Sequence, residues 1–182
     1  MTTSSDAIAA AGLPTNTTAL DQEQAAAVHE AESTTARDRA LRLLGYRERS
    51  AFELKTRLLD DGYPHSVVES LLQHLLHIGL VDDSRFASGF VRAKAAAGWG
   101  RSKIQRSLHE HEIDVSVTEK ALDEWLPDED EVERAILLLR SAQIETHKDR
   151  ERALRRLVSK GFSFSQAKEA VSRLEATQTA ES

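Results

Sequence analysis

The feature that most constrains this chain is an internal repeat. Leu54, Leu58, Tyr63, Val67, Leu71, Leu72 and Leu75 recur fifty residues later as Ile104, Leu108, Ile113, Val117, Ala121, Leu122 and Trp125. Forty-nine residues further on the same register gives Ala153, Leu157, Phe162, Gln166, Ala170, Val171 and Leu174, and only Gln166 breaks the apolar set. Steps of three and four within each copy are those of a helix face. A period of this length specifies copies of one small helical unit laid in series. Such a unit buries little core alone, so it gains stability by stacking on its neighbours.

The expected fold is therefore all-α, with three tandem three-helix repeats stacked into an elongated curved rod. In the first repeat, Ala36, Ala40, Leu41 and Leu44 mark a helix ending near Tyr46. Ser50, with Glu53 in the capping-box position, starts a second that ends at Gly62, and Pro64 opens a third. The second repeat is expected as helices 83–97, 101–111 and 115–126, with Asp82 or Asp83 accepting from the free N–H groups of the first. Phe86, Ala87, Phe90 and Val91 make its inner stripe, and Gly98-Trp99-Gly100 stops it. The third is expected as helices 129–144, 149–160 and 164–175, opened by the acidic run 128–131. The resulting repeats are 35–81, 82–127 and 128–176.

Composition supports this plan and sets its ends. The chain of 182 residues has only 8 Gly, 3 Pro and no Cys, which excludes disulfides and thiolate metal sites. No apolar run reaches the roughly 18–20 residues of a membrane span, and no partner membrane is expected. Residues 1–34 carry Asp6, Asp21, Glu23, Glu30 and Glu32 without Lys or Arg, and few large apolar groups. This acidic stretch is expected to be a disordered tail, with residues 177–182 a disordered C-terminus. Removing the tail's charge of −5 from the total of −6 leaves a nearly neutral body. Any charged interaction surface must then come from segregation of charge along the rod.

Motifs of catalysis are missing. There is no phosphate-cradling glycine loop, no Gly-x-Ser-x-Gly and no dinucleotide fingerprint. His109 and His111 diverge on a helix, and the aspartates and the acidic run read as helix starts. No cofactor, metal or catalytic residue is expected. The basic residues carry more information. Arg47, Arg49, Lys55 and Arg57 lie at the second helix of the first repeat, and Arg101, Lys103 and Arg106 at that of the second. In the third, Lys148, Arg152, Arg156 and Lys160 recur every four residues with Arg155 beside them, forming a ridge opposite the apolar face. Such ridges suit nucleic-acid phosphates or an acidic protein groove.

Several of these residues carry a family resemblance. Arg47-Glu48-Arg49-Ser50-Ala51-Phe52-Glu53-Leu54 resembles the R-x-x-S-x-x-E-L opening of the RecX family. Gly79-Leu80-Val81-Asp82-Asp83-Ser84-Arg85-Phe86-Ala87, followed by Phe90, is similar to its central signature, with Val81 where the family often has an aromatic residue. Gly98, Gly100, Ile104, Leu108 and Ile113 match the glycine-flanked pattern that follows. Of these, Ser50, Glu53, Leu54, Asp82, Asp83, Phe86, Ala87, Phe90, Gly98 and Gly100 are expected to be structural. The resemblance implies a cytoplasmic, non-enzymatic monomer that binds along the RecA–DNA filament. It would suppress strand exchange, ATP hydrolysis and coprotease activity in DNA repair and the SOS response. Single-stranded DNA would be bound weakly or through the filament. The rival expectation is a helical-repeat DNA-binding protein or adaptor that acts without RecA.

Overall fold

The computed structural model describes residues 16–127 and 130–181. Among the described residues the chain forms nine α-helices and no strand: α1 (Asn16–Tyr46), α2 (Ala51–Asp60), α3 (His65–His77), α4 (Asp83–Ala96), α5 (Arg101–Glu110), α6 (Val115–Trp125), α7 (Glu131–Leu139), α8 (His147–Lys160) and α9 (Phe164–Glu181). They pack in consecutive threes around three apolar clusters. The first draws on α1–α3 and is closed by Val81, the second runs from Phe86 to Leu126, and the third from Ala135 to Val171. Leu54, Ile104, Leu108 and Leu157 are fully buried at repeat-equivalent places or one turn apart. Each contributes about 1.5–3 kcal/mol on leaving water. No helix among the described residues is long and apolar enough to cross a membrane.

The chain reverses after each second helix through a left-handed residue at equivalent places, Gly62, Glu112 and Gly161. Gln166, the break in the repeat, has a local explanation. Its side-chain oxygen accepts from Ser163 N–H at 2.9 Å while its own N–H donates to the Ser163 hydroxyl at 3.2 Å. That reciprocal pair caps α9, so a polar residue there replaces a core contact with a helix start.

Several expectations need correction. Residues 16–34 are helical, extending α1 well upstream of Thr35. Residues 22–31 are all exposed, so the extension follows from the helix propensity of Ala, Glu and Gln grown onto a packed helix. Residues 1–15 lie outside the described residues, as do 128–129 and 182. The C-terminal stretch is also helical, to Glu181, because Gln178 holds the loop before α8: it donates to Ala142 O at 2.8 Å and accepts from Ile144 N–H at 3.2 Å. Helix α7 ends at Leu139, not near 144, and α8 begins at His147, where Thr146 and Asp149 form a capping box. Trp125 is 41 % exposed; the backbone turns out of α6 at Leu126, and that side chain enters the core instead. The Glu53 carboxylate does not close a capping box. Ser50 Oγ accepts from Glu53 N–H at 3.0 Å, but the carboxylate turns to Arg47 and Arg49.

Candidate functional site

The basic residues differ in what they touch, and the two junctions between repeats decide the difference. At the first junction the two neighbouring aspartates serve different helices. Asp82 caps α4, accepting from Ser84 and Arg85 N–H at 2.9 and 3.0 Å. Asp83 reaches back to the preceding repeat and accepts from Ala51 N–H at 2.9 Å, satisfying a free donor at the start of α2. Arg85 donates to Glu48 at 2.6 Å and to the carbonyls of Gly79 and Leu80. Phe86 and Phe90 stack at 5.7 Å, and His111 meets both rings edge-on, so this histidine belongs to the packing and not to open surface. Phe90 is only half-buried, whereas Phe86 and Ala87 are buried.

The predicted ridge residues of the first repeat are absorbed by carboxylates. Arg47 and Arg49 both pair with Glu53, Lys55 pairs with Glu69 of α3, and Arg57 shares Asp61 with Arg39. Burial works against the Glu53 charge. The Arg47 hydrogen bond and the nearby Arg47 and Arg49 charges outweigh it and hold the carboxyl below its ordinary range. The Arg39 hydrogen bond does the same for Asp61. Arg47 and Arg49 also lie in the loop before α2, not on it.

At the second junction the backbone itself makes the contact. Gly100 N–H donates to Lys160 O at 2.8 Å and Ser102 N–H to Gly161 O at 3.2 Å, which seats the start of α5 on the end of α8. A side chain at Gly100 would bring its Cβ 2.5 Å from the Gly161 carbonyl carbon, so only glycine permits this approach. Glu131 is fully buried here, pairs with Arg134 and accepts from Arg101 N–H at 3.3 Å. Arg134 in turn donates to the carbonyls of Ala95 and Trp99 at 3.1 and 3.0 Å. Arg101 is part of this framework, bonded to Leu126 O at 3.1 Å and Asp123 at 2.6 Å. Lys103 lies 4.4 Å above the Trp99 ring and within 3.4 Å of Ser159 O.

The rest of the predicted ridge remains available. Lys148, Arg152, Arg155 and Arg156 are exposed along α8, with Lys160 half-buried at its end. Arg152 and Arg155 pair only with Asp149 and Glu151 of their own helix and keep 77 and 71 % of their side-chain surface in solvent. Such exposed pairs hold a side chain weakly. Among the described residues Lys148, Arg156, Lys160 and Arg106 have no carboxylate partner. The junction places Lys103 of α5 beside the end of α8, so the basic residues of the second and third repeats lie on helices in direct contact. Sequence reasoning missed Arg140, also exposed and unpaired among the described residues, and Leu137, which is 63 % exposed. The run Ile136-Leu137-Leu138-Leu139 was a usable signal, because four successive apolar residues cannot all face one side of a helix. No group of three or more metal-ligating side chains occurs among the described residues.

Comparison with known proteins agrees with this arrangement. Residues 36–75 match the first three-helix domain of RecX, and residues 82–122 match the second. The chain is 34 % identical over 141 residues to the regulatory protein RecX of Chromohalobacter salexigens, covering 77 % of this chain and 93 % of that protein. It is 30 % identical over 138 residues to RecX of Vibrio vulnificus, covering 75 and 90 %. The crystal structure of RecX from Lactobacillus salivarius superposes with a TM-score of 0.70, covering 81 % of this chain and 99 % of that one. At 20 % identity it speaks for the fold alone. A crystal structure of a regulatory protein RecX, 25 % identical, gives 0.71 over 86 and 77 %. With its fold, repeat register and sequence in agreement, the chain belongs to the RecX family of regulatory proteins.

Proposed function

We propose that this chain binds the RecA–DNA filament and restrains its recombinase, ATPase and coprotease activities. It acts by occupying the filament, not by catalysis. The basic surface of the second and third repeats makes the contact. The observation that supports this reading is the set of cations without carboxylate partners on α5 and α8, Arg106, Lys148, Arg156 and Lys160, on two helices joined where Gly100 N–H meets Lys160 O. Those charges attract an acidic or phosphate-lined surface and have nothing within the described chain to satisfy them. Three rigid units in series suit a long, repetitive partner, because successive repeats can meet successive subunits. The chain acts as a monomer and reaches single-stranded DNA chiefly through the filament, since its body is close to neutral.

Co-sedimentation with RecA filaments, set against naked DNA of the same length, tests the reading. Retention by the filament well above retention by DNA is the expected result. Equal retention by both would make this a DNA-binding protein that acts without RecA, and retention by neither would make it an adaptor for another partner.

A further inference from the structure

We infer that the cleft between the second and third repeats is a docking pocket for an apolar side chain flanked by carboxylates on the surface of a partner protein. The inference rests on the filament reading and names the chemistry of one contact within it. The cleft, about 510 Å³, lies between the end of α4, the length of α7 and Arg156 of α8. Arg134, Leu137 and Leu138 follow one another at helical spacing, so a single face of α7 and the turn at Ser141 form one wall. Ala95, Ala96 and Gly98 form the other. The Cβ of any residue at Gly98 would lie 2.6 Å from Leu138, so glycine lets the two walls meet at the floor.

Floor and rim differ in chemistry. Leu137 leaves 63 % of its surface in solvent although it lines a cleft together with Leu138, Ala95 and Ala96. The charged groups lining the cleft are all cationic: Arg134, Arg140 and Arg156. Arg134 is committed to Glu131, which leaves Arg140 and Arg156 to meet an incoming anion. A nucleic-acid backbone would use the arginines and leave Leu137 unused. No aromatic ring lines the cleft for a base to stack on. An apolar side chain between two carboxylates uses both features, burying Leu137 while its acidic neighbours reach the arginines.

The test uses Leu137→Ser and Arg140→Gln in the full chain. Both positions are exposed, and circular dichroism melts serve to verify that each variant stays folded. Binding is measured to RecA filaments on single-stranded DNA and, separately, to a labelled oligothymidylate alone. The expected result is filament binding weakened about tenfold by Leu137→Ser and severalfold by Arg140→Gln, with oligothymidylate binding unchanged. Unchanged filament binding in both variants would overturn the pocket and leave the filament reading standing. Equal losses on the oligothymidylate would show a nucleic-acid site and overturn it too. A wild-type dimer in sedimentation, broken by Leu137→Ser, would show that a second copy covers Leu137. Failure of the wild type to bind filaments would overturn the filament reading and the pocket with it.

Discussion

Helices α2 and α8 hold the same place in the first and third repeats and both are rich in Lys and Arg, yet their charges have different fates. Around α2 the cations meet carboxylates of α2 itself, of α3 and of the turn that ends α2. Asp61 serves Arg39 and Arg57, Glu69 serves Lys55, and Glu53 draws in two arginines. Around α8 only Arg150 meets a carboxylate from another helix, Glu175 of α9; Arg152 and Arg155 pair with acids of their own helix, and Lys148, Arg156 and Lys160 have no carboxylate partner among the described residues. What separates the two helices is how many of the cations have an acid brought within about 4 Å, and that is a property of packing.

The largest expected effect falls on the junction between the second and third repeats. Glu131→Ala leaves Arg134 without its buried partner and should cost about 3–5 kcal/mol, read by urea or thermal unfolding. A loss below about 1 kcal/mol would mean that α7 is not anchored to α5 in this way. Next comes Gly100→Ser, which copies Ser50 from the equivalent place in the first repeat. Serine is at least as good an N-cap as glycine, but here its Cβ meets the Gly161 backbone. We expect a net loss of about 1–3 kcal/mol by overpacking, where the reverse change, Ser50→Gly, costs only a few tenths.

Glu53→Gln turns the comparison around. It should cost about 1–2 kcal/mol through lost charged hydrogen bonds and release Arg47 and Arg49. Filament binding at low salt should then rise a few-fold, and no rise would show that α2 lies away from the partner whatever its charge. The smallest effect is on acid stability. Asp61, Asp114 and Asp149, one in each repeat, are held below the ordinary aspartate range, by a hydrogen bond from Arg39, from the Ser116 hydroxyl and from the Thr146 hydroxyl respectively. A depressed carboxyl stabilises the fold above its unfolded pKa of about 3.9, and that contribution fades as pH falls through the folded value. Melting temperature should therefore drop below about pH 4, and added salt should weaken the Asp61 share more than the two helix caps.

Much of the fold was legible because apolar spacing depends on neighbours three and four residues away. The repeat register located Leu54, Ile104, Leu108 and Leu157 in three separate cores, Ser50 read correctly as a cap, and the α4 cap was narrowed to Asp82 or Asp83, of which Asp82 makes it. Trp125 misled because a single residue, Leu126, changed direction at the helix end. Residues 16–34 misled because low apolar content was taken to mean no structure, although Ala-rich sequence continues a helix once one exists. The site was legible only as a set of cations. Pairs such as Arg39 with Asp61 and Arg85 with Glu48 join residues 22 and 37 apart, and spacing along the chain does not foretell them. Leu137 and Arg140 escaped because they matter only as walls of a cleft between two repeats.

The difference between α2 and α8 is tested most directly by two matched variants measured side by side. One neutralises Arg47, Arg49 and Arg57 to Gln, the other Arg152, Arg155 and Arg156, with unfolding curves confirming that both remain folded. Binding of each to the RecA–DNA filament is followed across a salt titration. The α8 variant should bind about tenfold more weakly with a shallower salt dependence, while the α2 variant stays within about twofold of wild type. Equal losses in the two, or a loss confined to α2, would contradict the account.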